Sequence, residues 1–110
     1  MANSFKRKLS RSIGTSITAV GSYTVGASTE VTVIGLAVSN TTSSQILVDA
    51  TVYDGANDTY LIKEAPVPSG GSLVIIGGDQ KVVLETGDSL RIKSDTASSV
   101  DAVMSILEIT

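Results

Sequence analysis

The sequence predicts an all-β protein, an antiparallel β-sandwich or jelly roll of about eight short strands preceded by an extended basic N-terminal arm. Three observations lead there. Apolar residues alternate with a period of two over most of the chain, clusters of Gly, Pro, Asn and Asp interrupt the runs at short intervals, and helical periodicity is confined to the first residues. With 110 residues, 42% of them hydrophobic, the chain has material for one domain and one core. The division expected is an N-terminal docking arm over residues 1–16 and a β-sandwich domain over residues 17–110.

Taken in order, the strands are expected near 17–25, 29–39, 45–53, 59–63, 72–76, 81–84, 89–94 and 99–109. In the second, Ile34, Leu36 and Val38 form one stripe while Val31 and Val33 fall in the opposite register, so a bulge or twist is expected near Gly35. In the third, Ile46, Val48, Ala50 and Val52 alternate with Leu47, Asp49, Thr51 and Tyr53, giving a buried face and a mixed one. Leu90 and Ile92 alternate with Arg91 and Lys93. The last run, Val100 to Ile109, is apolar on both faces, as in a central strand or one covered by a neighbouring subunit. Between the strands stand Asn40 to Ser44, Asp54-Gly55, Pro66 to Gly71, Gly77-Gly78-Asp79 and Gly87-Asp88, all with turn chemistry. Aromatic residues make up only 4%, so small aliphatic side chains must fill the core.

The chemistry-bearing residues argue against an enzyme. The chain has no Cys and no His, which removes the thiol nucleophile, the thiolate metal site and the side chain that most often serves as general base or metal ligand. Asp54 to Asp58 gathers carboxylates and an amide but lacks calcium-loop spacing and a closing glutamate, so it reads as a hairpin turn. Asp79, Glu85 and Asp88 have no base or nucleophile beside them and read as a solvated rim. Ser69 to Ser72 and Gly77-Gly78 neither precede a helix nor lead into Lys-Ser/Thr, so they read as connectors rather than phosphate cradles. No cofactor or metal is expected. No apolar run has membrane-spanning length and no signal-peptide pattern follows the basic start, so neither a membrane partner nor secretion is expected.

Charge is unevenly divided. Lys6, Arg7, Lys8 and Arg11 give the first eleven residues +4, and the other four cations against all eleven acids leave the rest at −7. Such asymmetry points to an anionic partner for the basic segment. Phe5, Leu9 and Ile13 are spaced by four and would line one face of a short helix, so the segment is expected to be a docking anchor: apolar residues seated in a neighbour, cations meeting carboxylates or phosphates. Nucleic acid is not the expected partner, because about four cations on an acidic body bind phosphates weakly and no aromatic stacking platform accompanies them.

Several stretches together resemble small virion structural proteins of tailed bacteriophages, particularly those of marine and cyanobacterial hosts. They are Ser4-Phe5-Lys6-Arg7-Lys8, Tyr23-Thr24-Val25, Val33 to Leu36, Ala65 to Leu73, Gly77 to Glu85, Gly87-Asp88, Ala97 to Asp101 and Ser105 to Ile109. The resemblance implies a multicopy, non-catalytic particle component, located in the virion and associated with further copies of itself and with portal, neck, tail or capsid subunits. A long basic arm suits docking on an underlying ring, which favours the neck or head-to-tail region. The alternatives are a capsid decoration (cement) protein and a carbohydrate- or receptor-binding module on a fibre. Only Phe5, Tyr23, Tyr53 and Tyr60 are there to stack on a sugar, which counts against the last.

Overall fold

The structure, a computed structural model, describes residues 2–110. Nine strands follow one another: β1 (Asn3–Ile13), β2 (Thr18–Ala19), β3 (Glu30–Asn40), β4 (Ile46–Tyr53), β5 (Asp58–Val67), β6 (Ser72–Ile76), β7 (Val82–Leu84), β8 (Ser89–Ser94) and β9 (Val100–Ile109), with one 3-10 turn at Val20–Ser22. Their pairing is nested and antiparallel throughout. β4 pairs with β5, β3 with β6 and β7, β2 with β8, and β1 with β9. This is a long hairpin, and rolling it up adds the contacts of β3 with β9 and of β4 with β8. The result is two sheets, β1-β9-β3-β6/β7 and β2-β8-β4-β5, which together make a jelly roll. The expected all-β sandwich is what the chain forms.

The core lies between the sheets and is aliphatic. Val31, Val33, Leu36 and Val38 of β3, Ile46, Val48 and Ala50 of β4, Leu90 and Ile92 of β8, and Val100, Ala102, Met104 and Ile106 of β9 are all buried. The change of register in β3 falls where the sequence requires it: pairing with β9 shifts between Val33 and Gly35, so the inward positions pass from odd to even numbers. The last run is indeed a central strand, flanked by β1 and β3.

Three expectations are corrected. The strand expected at 17–25 is reduced to Thr18–Ala19, because Gly21 at φ 63° and Ser22 at φ 53° turn the chain into the 3-10 turn. A Cβ at Gly21 would sit 2.8 Å from the Lys8 Cβ, so the turn packs directly on β1. The strand expected at 59–63 runs on through Pro66 to Val67. Pro66 faces Leu47, whose N–H donates to Asp95 Oδ1 and whose carbonyl accepts from the Asp95 amide, so no ladder hydrogen bond is lost at this sheet edge.

The third correction concerns the N-terminal segment. Phe5, Leu9 and Ile13 do not line a helix, and residues 3–13 do not stand outside the sandwich: they form an edge strand paired with β9 from Asn3↔Ile109 to Ser10↔Ala102, and again at Ile13↔Val100. A spacing of four also keeps residues on one face of a strand, and the ladder offered by β9 outweighs a short helix rich in serine. Ser12, at φ 54°, forms a bulge that turns Ile13 inward, where it is 4% exposed.

Candidate docking surface

The two faces of β1 do different work. On its inner side, Lys6 Nζ lies 2.9 Å from Glu108 Oε1, and the Tyr23 hydroxyl donates to Glu108 Oε2. Lys8 Nζ sits 4.6 Å from the centroid of the Tyr23 ring, and Ser10 Oγ accepts from the Gly21 amide at 2.7 Å. The hydrogen bonds from Tyr23 and then Lys6 hold the Glu108 carboxyl below its ordinary range, while burial and the neighbouring carboxylate push the Tyr23 phenol up. Lys6 and Lys8 therefore tie β1 to its own domain.

The outer side is open. Phe5, Arg7 and Leu9 lie there, and Arg11 follows at the bulge, all exposed; among the described residues neither Arg7 nor Arg11 makes a salt bridge. Register extends this side across the whole sheet. Phe5 faces Leu107, which faces Thr32, which faces Val83. Four residues along β1, Leu9 faces Val103, which faces Ala37, which faces Val74. Two largely apolar rows thus each cross four of the five strands of one sheet, with Phe5 78%, Leu9 43%, Val103 50%, Val74 65% and Val83 64% exposed. Between them runs Arg7, Ser105 and Gly35, ending at the β6–β7 turn that carries Asp79. Apolar rows left in water on one face of a sheet are the mark of an interaction surface.

The other sheet contrasts with this one. On its outer face Arg91 donates to both carboxylate oxygens of Asp58, at 3.1 and 2.5 Å, Thr51 Oγ1 donates to Asp58 at 2.7 Å, and the guanidinium carbon lies 3.9 Å from the Tyr53 ring centroid. These three polar side chains are satisfied within the chain. Asp54 is likewise used locally, since its Oδ1 accepts from the Ala56 and Asn57 amides in the β4–β5 turn.

Of the residues singled out in the sequence, Phe5, Arg7, Leu9 and Arg11 lie on the open side of β1, Lys6 and Lys8 are engaged within the chain, and Ile13 belongs to the core. The sequence reading missed Val74, Val83, Val103 and Leu107 as parts of the surface. Val103 and Leu107 left a trace in the two-sided apolar character of the last run; Val74 and Val83 left none, because only pairing aligns them with Leu9 and Phe5.

No family model matches the chain, and no curated protein matches it significantly. Solved structures do. A subunit of Bacillus endospore appendages, described as a family of disulfide-linked pili, superposes with a TM-score of 0.59 at 13% identity, over 98% of this chain and 88% of that one. A protein from the acid-stable capsid of the Helicobacter pylori bacteriophage KHP30 gives 0.57 at 8% identity, over 100% of this chain and 89% of that one. A chain of the infectious bursal disease virus particle gives 0.53 at 11% identity, over 96% of this chain and 35% of that much longer one. At these identities the likeness establishes the fold, a jelly roll that is also used by capsid proteins, one of them from a bacteriophage.

Proposed function

We propose that the chain is a non-enzymatic structural subunit of a bacteriophage particle, present in many copies and held there by the outer face of the β1-β9-β3-β6/β7 sheet. The observation that carries this is the pair of largely apolar rows, Phe5-Leu107-Thr32-Val83 and Leu9-Val103-Ala37-Val74, whose Phe5, Leu9, Val103, Val74 and Val83 are left in water on one face of the domain, while the other face holds the Arg91–Asp58 pair. A subunit that works alone has no use for such a face, whereas a subunit of an assembly buries it. The capsid proteins of similar fold support a place in the virion, as does the resemblance of the sequence to phage virion proteins. They favour the shell, as capsid or decoration subunit, over the neck position that a free basic arm would have suited. The basic segment that would have formed such an arm is built into the sheet as β1. The pilus subunit of similar fold suggests a fibre as a second reading, but these 110 residues contain no cysteine with which to form a disulfide link.

The test is to purify particles from infected cells and measure the subunit in them by quantitative mass spectrometry, with labelling in electron micrographs for its position. Many copies per particle, distributed over the head, are expected. Absence from particles, with the protein left free in the lysate, overturns the reading.

A further inference from the structure

We infer that the outer face of the β1-β9-β3-β6/β7 sheet docks on the same face of a second copy of the chain, with a two-fold axis parallel to the strands. The inference deepens the structural-subunit reading and rests on it for its setting, but the self-association can be tested without particles.

Symmetry leaves two arrangements of two such faces. Two sheets that stack face to face keep their strands nearly aligned, and a two-fold axis in the plane between them runs either across the strands or along them. An axis across the strands lays each strand over its own counterpart in reverse. Phe5 would face Leu9 of the other copy, and Arg7, midway between them on β1, would face the other Arg7. Two unpaired guanidinium groups would then be brought together in an apolar contact, which is unfavourable.

An axis along the strands reverses the order of strands and keeps the height. Each apolar row then covers its own equivalent, end over end. Phe5 meets Val83 of the other copy and Leu107 meets Thr32, while Leu9 meets Val74 and Val103 meets Ala37; all these levels are set by the pairing within one chain. The large side chains of one edge fall on the smaller ones of the other. Arg7, level with Ser105 and Gly35, falls on the turn between Ile76 and Val82, where Asp79 is exposed and makes no salt bridge among the described residues. Lys81, on the same turn, donates to the Gly78 carbonyl and so points back into the turn. The contact contains two Arg7–Asp79 pairs, one at each end, and the charge pattern selects this arrangement over the other.

The footprint is adequate. Four strands about 4.8 Å apart and the eight consecutively paired residues Asn3 to Ser10, rising about 3.3 Å each, give roughly 500 Å² of flat area before side-chain relief is added. Counted over both partners that is roughly 1,000 Å², the lower bound for a specific interface.

The experiment is sedimentation equilibrium of the purified full chain, with circular dichroism to confirm folding. The wild type is expected to be dimeric at micromolar concentration. Val103→Asp and, independently, Val74→Asp lie at half-exposed or more exposed positions, so each is expected to keep the β-sheet spectrum while weakening dimerisation at least 100-fold. Arg7→Glu and Asp79→Arg should each weaken it about tenfold, and the double variant Arg7→Glu/Asp79→Arg should recover most of the loss. A wild type that stays monomeric, or charge variants that do not rescue each other, overturns the inference. A monomeric chain that still enters particles in many copies, and loses entry on Val103→Asp, would assign the face to a different virion protein; that outcome overturns the second-copy proposal and leaves the structural-subunit reading standing.

Discussion

The Glu64 amide donates to Asp49 Oδ1 at 2.7 Å, across a bulge where Glu64 takes a left-handed φ of 52°. The same device recurs on the other sheet. The Ser12 amide, at φ 54°, donates to Asp101 Oδ1 at 3.0 Å opposite the bulge in β1. In each case an edge strand carries one extra residue, and an aspartate of the neighbouring strand accepts the amide that the ladder leaves over. Both bulges also interrupt an edge that would otherwise be open to pairing with another chain.

Removing these acceptors has a defined cost. Asp49→Ala and Asp101→Ala are each expected to destabilise the domain by about 0.5–1.5 kcal/mol, the usual net worth of one hydrogen bond. Thermal unfolding followed by circular dichroism should show a drop of several degrees for each. Glu64→Gly should leave Tm unchanged or raise it, because glycine adopts positive φ without steric cost. A fall on Glu64→Gly as large as on Asp49→Ala would show that the bulge geometry is not the origin of the effect.

Asn40 offers a sharper test. It is 3% exposed at the end of β3, and its Nδ2 donates to the carbonyls of Ser44 at 2.7 Å, Val67 at 3.0 Å and Pro68 at 3.2 Å, while its Oδ1 accepts from the amide and hydroxyl of Thr42. One side chain thus joins the β3–β4 loop to the end of β5. Asn40→Asp would aim a carboxylate oxygen at these carbonyls, and a loss of at least about 3 kcal/mol is expected at neutral pH, since a charge is left buried without a partner. Urea unfolding measures it, and the loss should shrink as the pH is lowered and the carboxyl is protonated.

Acid should loosen the domain through Glu108 and Asp58. Tyr23 and then Lys6 lower the pKa of Glu108, and the Arg91 hydrogen bond followed by that of Thr51 lowers that of Asp58. For groups depressed in the folded state, the stabilisation is complete above the unfolded carboxyl pKa of about 4 and is lost as pH falls through the lower folded value. Tm should therefore be flat from neutral pH to about 5 and decline below 4. Glu108→Gln combined with Asp58→Asn should lower the plateau and flatten the decline; a wild-type slope in the double variant would locate the acid sensitivity elsewhere.

The N-terminal segment separates structure from docking. Deleting residues 1–14 removes β1, strips the edge of β9 and takes away buried Ile13, so the truncated chain is expected to lose solubility or cooperative unfolding rather than survive as an intact sandwich. Phe5→Ala with Leu9→Ala should instead keep Tm within a few degrees, because Phe5 is 78% exposed, and reduce subunit occupancy in purified particles. Lys6→Gln with Lys8→Gln, which dismantles the Glu108 and Tyr23 contacts, should change the acid response more than the occupancy. Normal occupancy after loss of Phe5 and Leu9 would remove the apolar rows from the docking role.

The period-two pattern by itself determined the all-β class, the core stripe of Ile46, Val48 and Ala50, the register change at Gly35 and the two-sided apolar character of the last strand. Each follows from which side chains must leave water, and that is written locally. The nature of the N-terminal segment was not local. A spacing of four serves a helix face and a strand face alike, and only the free edge of β9, nearly a hundred residues away in sequence, decides between them. The same holds for Lys6 and Lys8, whose partners Glu108 and Tyr23 are brought to them by the rolled hairpin. The open surface is a property of pairing alone: Val74 and Val83 look like ordinary strand residues until β3 sets them level with Leu9 and Phe5, because a row across a sheet has no counterpart along the chain.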